Sequence, residues 1–337
     1  MSAEERVLLA HGGGGSLSAR LVRDVFLPAF DNPELRRLGD SALIDLGTGR
    51  FAFTTDAYVV SPRFFPGGDI GTLAVAGTVN DLAVVGAVPR YLSCSFVLEE
   101  GLPLDDLRRI AASMAATAAE AGVVLVTGDT KVVERGGADG LFITTAGLGA
   151  MREELPAGWG EPRAGDIVLV NGTLGDHGMA VMSAREGLRF DSPIQSDCAP
   201  LNGLITALFD AGVKLRFLRD ATRGGLAAVT NELAAGRDWG VALSTKALPV
   251  SPAVRSLCEI LGIDPLFVAN EGKVVVVVAP EDEARALDVM RGHPYGARAA
   301  AIGAVEAGLG GLVTLDTELG GRRILDMPLG EQLPRIC

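Results

Sequence analysis

With 337 residues, 48% of them apolar, the chain has enough material for two domains of ordinary size and is excluded from the disordered class. Its formal net charge of −12 excludes the basic surface a nucleic-acid binder needs, but not a nucleotide bridged to carboxylates by a divalent cation. The four cysteines (94, 198, 258, 337) form no CxxC pair or short disulfide framework, as expected of a reducing cytoplasm, and the three histidines (11, 177, 293) show no zinc spacing.

The opening "MSAEERVLLAH" is too short in its apolar run, and acidic where a signal peptide is basic. The run "HGGGGS" follows. Its Gly12, Gly13 and Gly14 have two readings of equal weight: a backbone cradle for phosphates, or a loose chain start. A helix is predicted next, with Leu17, Leu21, Val25 and Phe26 on one side. Short β-like runs come after it: "ALIDL", "RFAFTTD", "YLSCSFVL", "VVLVTGD" and "LFITTAGL". Two long helical patterns lie among them, one over about 70–86 and one from "PLDDL" to about Ala121. The first overlaps a membrane-like stretch, 70–89, but Asn80 and Asp81 at its middle make burial in lipid costly, so a soluble, cytoplasmic protein is expected.

Residues 151–166 hold three glycines and two prolines and mark the predicted domain boundary. The second half alternates again: "DIVLVN", helices near 176–186 and 199–211, "VKLRFLRD", a helix near 223–235, "KVVVVVAP", and a helix near 282–291. The unbroken "VVVVV" predicts a strand buried on both faces. Pro328 and Pro334 make the last ten residues a poor helix or central strand. The expected division is a glycine-rich segment with a helix (1–38), a first α/β domain (39–155), a second (156–327) and a mobile tail (328–337).

Aspartates recur at the ends of apolar segments: Asp56 in "FTTDAYV", Asp81 in "GTVNDLA" and Asp129 in "VTGDTKV", with Asp40 of "GDSALIDL" just before a strand. Singly, each reads as a helix cap or turn residue. Together they suggest oxygen ligands for Mg²⁺ and a bound phosphate. No P-loop signature occurs. "LRDATRGGLAAV" places Asp220 at a strand end ahead of two glycines, and "ANEGKVVVVV" offers Glu271 and Lys273 before a buried strand. Glu271 is either a base tuned by burial or half of a solvated turn pair.

In order, "GDSALIDL", "FTTDAYVV", "GGDIGTLAVAGTVNDLAVVGAVP", "GDTKVV", "RDATRGGLA" and "NEGKV" resemble the aminoimidazole ribonucleotide synthetase (PurM-like) ATP-binding superfamily. Within it, "HGGGG" and the terminal "PRIC" resemble the hydrogenase-maturation carbamoyl dehydratases, the HypE family. The resemblance implies a two-domain α/β (α+β) fold whose first sheet pairs with that of a second subunit to form a barrel across a homodimer. It also implies ATP and Mg²⁺ near that interface, with metal and phosphate roles at Asp40, Asp56, Asp81 and Asp129, help from Asn80, and Lys131 and Glu271 beside a reactive Cys337. The implied partners are a carbamoyltransferase (HypF), which loads the terminal sulfur, and a HypC–HypD iron scaffold, which receives cyanide. The implied reaction is the ATP-dependent dehydration of an S-carboxamide to an S-cyanide.

A chain end frays unless tied down, so Cys337 is expected to be exposed and moving. Seven residues from Glu331 span at most about 24 Å, enough for a carrier thiol that visits several sites. The alternatives are a small-molecule kinase or selenophosphate synthetase of the same superfamily, or a nucleotide-binding adaptor. The two enzymes need no terminal cysteine, whereas the adaptor would hold a metal or a partner with its terminal thiol, a weak site with no other ligands in the sequence.

Overall fold

The computed structural model describes residues 15–21, 23–24, 35–38, 42–45, 49–156, 159–185, 193–330 and 333–337. Gly12, Gly13, Gly14 and Asp40 lie outside the described residues.

The first half contains α1 (Gly15–Leu21), β1 (Ala42–Asp45), β2 (Arg50–Tyr58), the two-residue strands β3 (Phe64–Phe65) and β4 (Gly68–Asp69), α2 (Ile70–Val84), β5 (Ala87–Glu99), α3 (Leu104–Ala121), β6 (Val124–Val133) and β7 (Leu141–Met151). Its main sheet runs β1-β2-β7-β5-β6, with β5 and β6 the parallel pair and the rest antiparallel. The second half contains β8 (Ile167–Val170), α4 (Asp176–Ala184), α5 (Asn202–Asp210), β9 (Leu215–Asp220), α6 (Gly225–Ala234), β10 (Trp239–Ser244), α7 (Pro252–Leu261), β11 (Val274–Val278), α8 (Glu283–Arg291), β12 (Ala300–Ala307), β13 (Val313–Asp316) and β14 (Arg322–Ile324). Its sheet runs β14-β13-β10-β12-β8-β11-β9, and all five valines of β11 are buried. β7 ends at Met151 and β8 begins at Ile167, and the described residues of the tail carry no helix or strand, in keeping with its prolines.

The helix α2 explains why 70–89 looks like a membrane segment. It is apolar nearly all round because it is buried nearly all round, packed on β2, β5 and β7, on α3, and on α5 and β9 of the second domain. Asp69 starts it by accepting from the amides of Gly71 (2.8 Å) and Thr72 (3.1 Å), satisfying two of the donors a helix start leaves free. No helix among the described residues is long and apolar enough to cross a membrane. One core cluster joins the two halves: Leu73, Val75 and Met114 of the first pack with Met179, Val181 and Val254 of the second, and with Leu333 and Ile336 of the tail.

Candidate active site

Where the domains meet, a cavity of about 230 Å³ is bordered by Asp56, Tyr58, Gly77 and Asp81 of the first domain and by Asp220, Arg223, Glu232 and Glu271 of the second. Cys337 borders it too. Three elements build the first wall. Asp56 near the end of β2 accepts from the hydroxyls of Tyr58 (3.2 Å) and Thr78 (3.1 Å), and Thr78 in turn meets Thr145 of β7 at 2.5 Å. Asp81, one turn along α2 from Gly77, accepts from Thr54 at 2.8 Å. Gly77 is required here. A Cβ at that position would stand 2.4 Å from the Tyr58 hydroxyl oxygen, closer than any side-chain contact allows. Burial and the neighbouring Asp56 raise the Tyr58 pKa, so the phenol stays a donor to that carboxylate.

The second wall carries Glu271. It is 3% exposed, and its Oε1 has no hydrogen-bond partner. Burial, with Asp220 and Asp197 nearby, pushes its carboxyl well above the ordinary value, against the opposing pull of Arg223. The turn around it is rigid. Asp197 accepts from the amides of Glu271 and Gly272, each at 3.2 Å, and pairs with Lys273 at 2.7 Å with both side chains buried. Burial works against ionising Asp197, but Lys273 overrides it and the carboxyl lies below its usual range. A Cβ on Gly272 would fall 1.8 Å from the Asp197 carbonyl oxygen, so only glycine permits this turn. The solvated-pair reading of Glu271 and Lys273 is therefore corrected: both are buried, and Lys273 answers to Asp197.

The tail is docked in the cleft. A main-chain carboxylate oxygen of Cys337 accepts from Val59 N at 3.2 Å and the Arg335 carbonyl from Ser61 N at 3.1 Å, while Ile336 is 2% exposed. Cys337 is half-buried, so the exposure expected of a chain end does not hold in this position; the apolar anchors Leu333 and Ile336 are the reason. The charge at Cys337 raises the pKa of Arg223 across the cavity. The other thiols differ. Burial pushes Cys94 and Cys258 up to about 11 and Cys198 well above its usual value, as suits inert side chains.

The cleft thus sets oriented carboxylates and a buried carboxyl beside a thiol. The models described as AIR synthase related protein, N-terminal domain and C-terminal domain, match residues 38–151 and 163–316. A carbamoyl dehydratase HypE of Rhizobium leguminosarum bv. viciae is 53% identical over 336 residues, covering 99% of this chain and 96% of its own. The chain belongs to the HypE family. Among solved HypE structures, that of a HypE–HypF complex superposes with a TM-score of 0.85 at 50% identity, covering 91% of this chain and 99% of the other. That of HypE in complex with ATP gives 0.81 at 49%, covering 98% and 100%.

Of the candidate residues named from sequence, Asp56, Asp81, Asp220, Glu271 and Cys337 come together. Asn80 does not face the cavity as a ligand. Its amide donates to the carbonyls of Ala199 (3.1 Å) and Glu271 (3.4 Å) and accepts from Leu201 N (2.7 Å), which ties α2 to the second domain. Asp129 and Lys131 pair with each other at 3.0 Å on the exposed strand β6, with side chains 62% and 72% exposed. Asp129 is in register with Ser95, Ser95 with Thr144, and Thr144 with Ala57. That parity puts Asp129 on the sheet face opposite Asp56, and three strand spacings separate β6 from β2, about 14 Å. In a single chain these two stay out of the cleft. Tyr58, Gly77, Arg223 and Asp197 were not singled out from sequence. Tyr58, Gly77 and Arg223 sit inside the quoted "FTTDAYVV", "GGDIGTLAVAGTVNDLAVVGAVP" and "RDATRGGLA"; Asp197 sits in none of the quoted motifs.

Proposed function

We propose that the chain is an ATP-dependent carbamoyl dehydratase whose substrate is an S-carboxamide carried on its own Cys337, in the cytoplasm. One observation carries the reading: the terminal cysteine and a buried carboxyl with an unpartnered oxygen, Glu271, border the same cavity as two oriented carboxylates, Asp56 and Asp81.

The chemistry follows from what a carboxamide lacks. Its oxygen is a poor leaving group until phosphorylated by ATP; loss of phosphate and of both N–H protons then leaves S–C≡N. The balance is S-carboxamide plus ATP giving S-cyanide, ADP and phosphate. Glu271, held in a dry site beside other carboxylates, takes a nitrogen proton when the phosphate leaves. Arg223 faces Cys337 and offsets negative charge there. The closed turn around Glu271 and the buried tail keep water from the nascent cyanide.

The donor set fits Mg²⁺. Asp56 and Asp81 present carboxylate oxygens on one wall, oriented by Tyr58, Thr78 and Thr54, which suits an ion that takes one or two carboxylates and completes its shell with phosphates. Asp56 and Asp81 would hold it, with Asp40 as a third. The ion supplies charge neutralisation on the phosphates. A homodimer completes the site in this reading: the exposed β6, with Val124, Val126 and Val132 uncovered, meets a second copy and brings its Asp129 and Lys131 with it. HypF loads the sulfur and HypC–HypD receives the cyanide.

The test is mass spectrometry of the C-terminal peptide after incubation with the carbamoyltransferase and its carbamoyl donor. One carbamoyl group should appear on Cys337, and Mg-ATP should then remove one water from it. Unchanged substrate-dependent ATP turnover in Cys337→Ala would overturn the proposal.

A further inference from the structure

We infer that Arg185 and His177, at the two ends of α4, are positioning residues that clamp the tail main chain and set how much of the time Cys337 spends in the cleft. The tail lies antiparallel to residues 59–61. Val59 pairs with Cys337 and Ser61 with Arg335, and Arg335 Nε donates to the Val59 carbonyl at 3.0 Å. Those main-chain bonds alone would leave the tail free to slip along the segment.

The side chains of α4 remove that freedom. His177 Nε2 lies 2.9 Å from the Ile336 carbonyl oxygen, and its Nδ1 lies 2.8 Å from Ser196 Oγ. Complete burial disfavours the imidazolium, so the neutral ring donates from Nε2 to the tail and accepts from the serine. Arg185 donates to the carbonyls of Pro334 and Arg335, the latter at 2.9 Å, and its Nε donates to Ser61 O at 2.9 Å. One guanidinium thus grips the tail and the segment it pairs with, in the fork geometry that only arginine offers. Three successive tail carbonyls, 334 to 336, are held by two residues, and none of these bonds reaches the sulfur. Arg335 itself sits in the left-handed region at φ +56°, with its guanidinium on Asp139, a backbone state that a bulky residue keeps only when held.

Because the clamp reads carbonyls rather than the thiol, it grips a loaded and an unloaded tail alike. That suits an arm which must leave, collect a group and return. The consequence for turnover rests on the dehydratase reading; the clamp does not.

The experiment is the rate of alkylation of Cys337 by iodoacetamide in the full chain, read on the C-terminal peptide, with the Cys198 peptide as internal control. Arg185→Ala should speed alkylation of Cys337 about tenfold and leave Cys198 unchanged, since losing charge-assisted bonds of this kind shifts an equilibrium by about that factor. His177→Leu should do the same, and His177→Gln, which keeps a donor near Nε2, should restore most of the protection. Equal Cys337 rates in Arg185→Ala and the unsubstituted chain overturn the clamp, as does faster Cys198 alkylation in step with Cys337, which reports general loosening. With a carbamoylated tail and Mg-ATP, Arg185→Ala should slow the single-turnover loss of water while loading stays as fast or faster. If the unsubstituted chain never loses water but the alkylation result holds, the dehydratase reading fails and the clamp stands.

Discussion

The Tyr58 hydroxyl occupies the space that a side chain on Gly77 would fill, and from there it donates to Asp56 at 3.2 Å. A glycine in the middle of a buried helix costs about 1 kcal/mol relative to alanine, so its presence in α2 marks a close approach rather than a preference. Gly77→Ala should destabilise the protein by about 1–3 kcal/mol through overpacking, and weaken ATP binding by turning Tyr58 away from Asp56. Thermal melting and nucleotide titration check both. Adding Tyr58→Phe should recover much of the stability but not the ATP affinity, because the clash goes and the hydroxyl goes with it.

Much of this was legible beforehand because α2, β11 and the amphipathic α3 announce themselves by apolar pattern, and because Asp56, Asp81, Glu271 and Cys337 sit in motifs. The position of Asp129 and Lys131 was not. Which sheet face a residue occupies depends on register carried across β7 and β5, and no single strand encodes that. The docked tail was equally hidden. It is held by main-chain carbonyls, which look the same in every sequence, and by His177 and Arg185, which have no neighbours in sequence that point to a tail 150 residues away.

Asp56→Asn keeps the shape of the wall, since the amide oxygen still accepts from Tyr58 and Thr78, but removes the charge that the proposed Mg²⁺ role requires. ATP affinity in Mg²⁺ should fall at least about tenfold, with a melting temperature close to that of the unsubstituted chain. Equal affinity by calorimetry would take Asp56 out of the metal role.

Glu271→Gln should still bind ATP but form no S-cyanide, because the nitrogen proton has no acceptor when the phosphate leaves. It should also gain stability with a definite pH dependence. Burial raises the Glu271 pKa above its ordinary 4.5, so between that value and the raised one the folded chain keeps a proton that the unfolded chain has lost. Stability from this group is full below pH 4.5 and declines as pH rises through the window. The glutamine has no such decline. The melting-temperature gap should therefore be near zero at pH 4.5 and widen in favour of Glu271→Gln towards pH 8. A constant gap, or one that narrows, would remove Glu271 from the list of buried titrating groups.

The separation of Lys131 from Cys337 in one chain makes a prediction about two. In a single copy the lysine lies on the open sheet face, about 14 Å in strand spacings from β2. If it serves the reaction, it serves the cleft of a second copy whose sheet meets β6. Lys131→Ala and Cys337→Ala should each be inactive alone. Mixed and allowed to exchange subunits, they should recover activity, because one of the two clefts in the mixed dimer has an intact Cys337 facing an intact Lys131. Random exchange puts half of the dimers in the mixed form, each with one competent cleft of two, so recovery should approach a quarter of the activity of the unsubstituted chain. No recovery, with exchange verified by native mass spectrometry, would mean that Lys131 acts within its own chain after a rearrangement, or not at all.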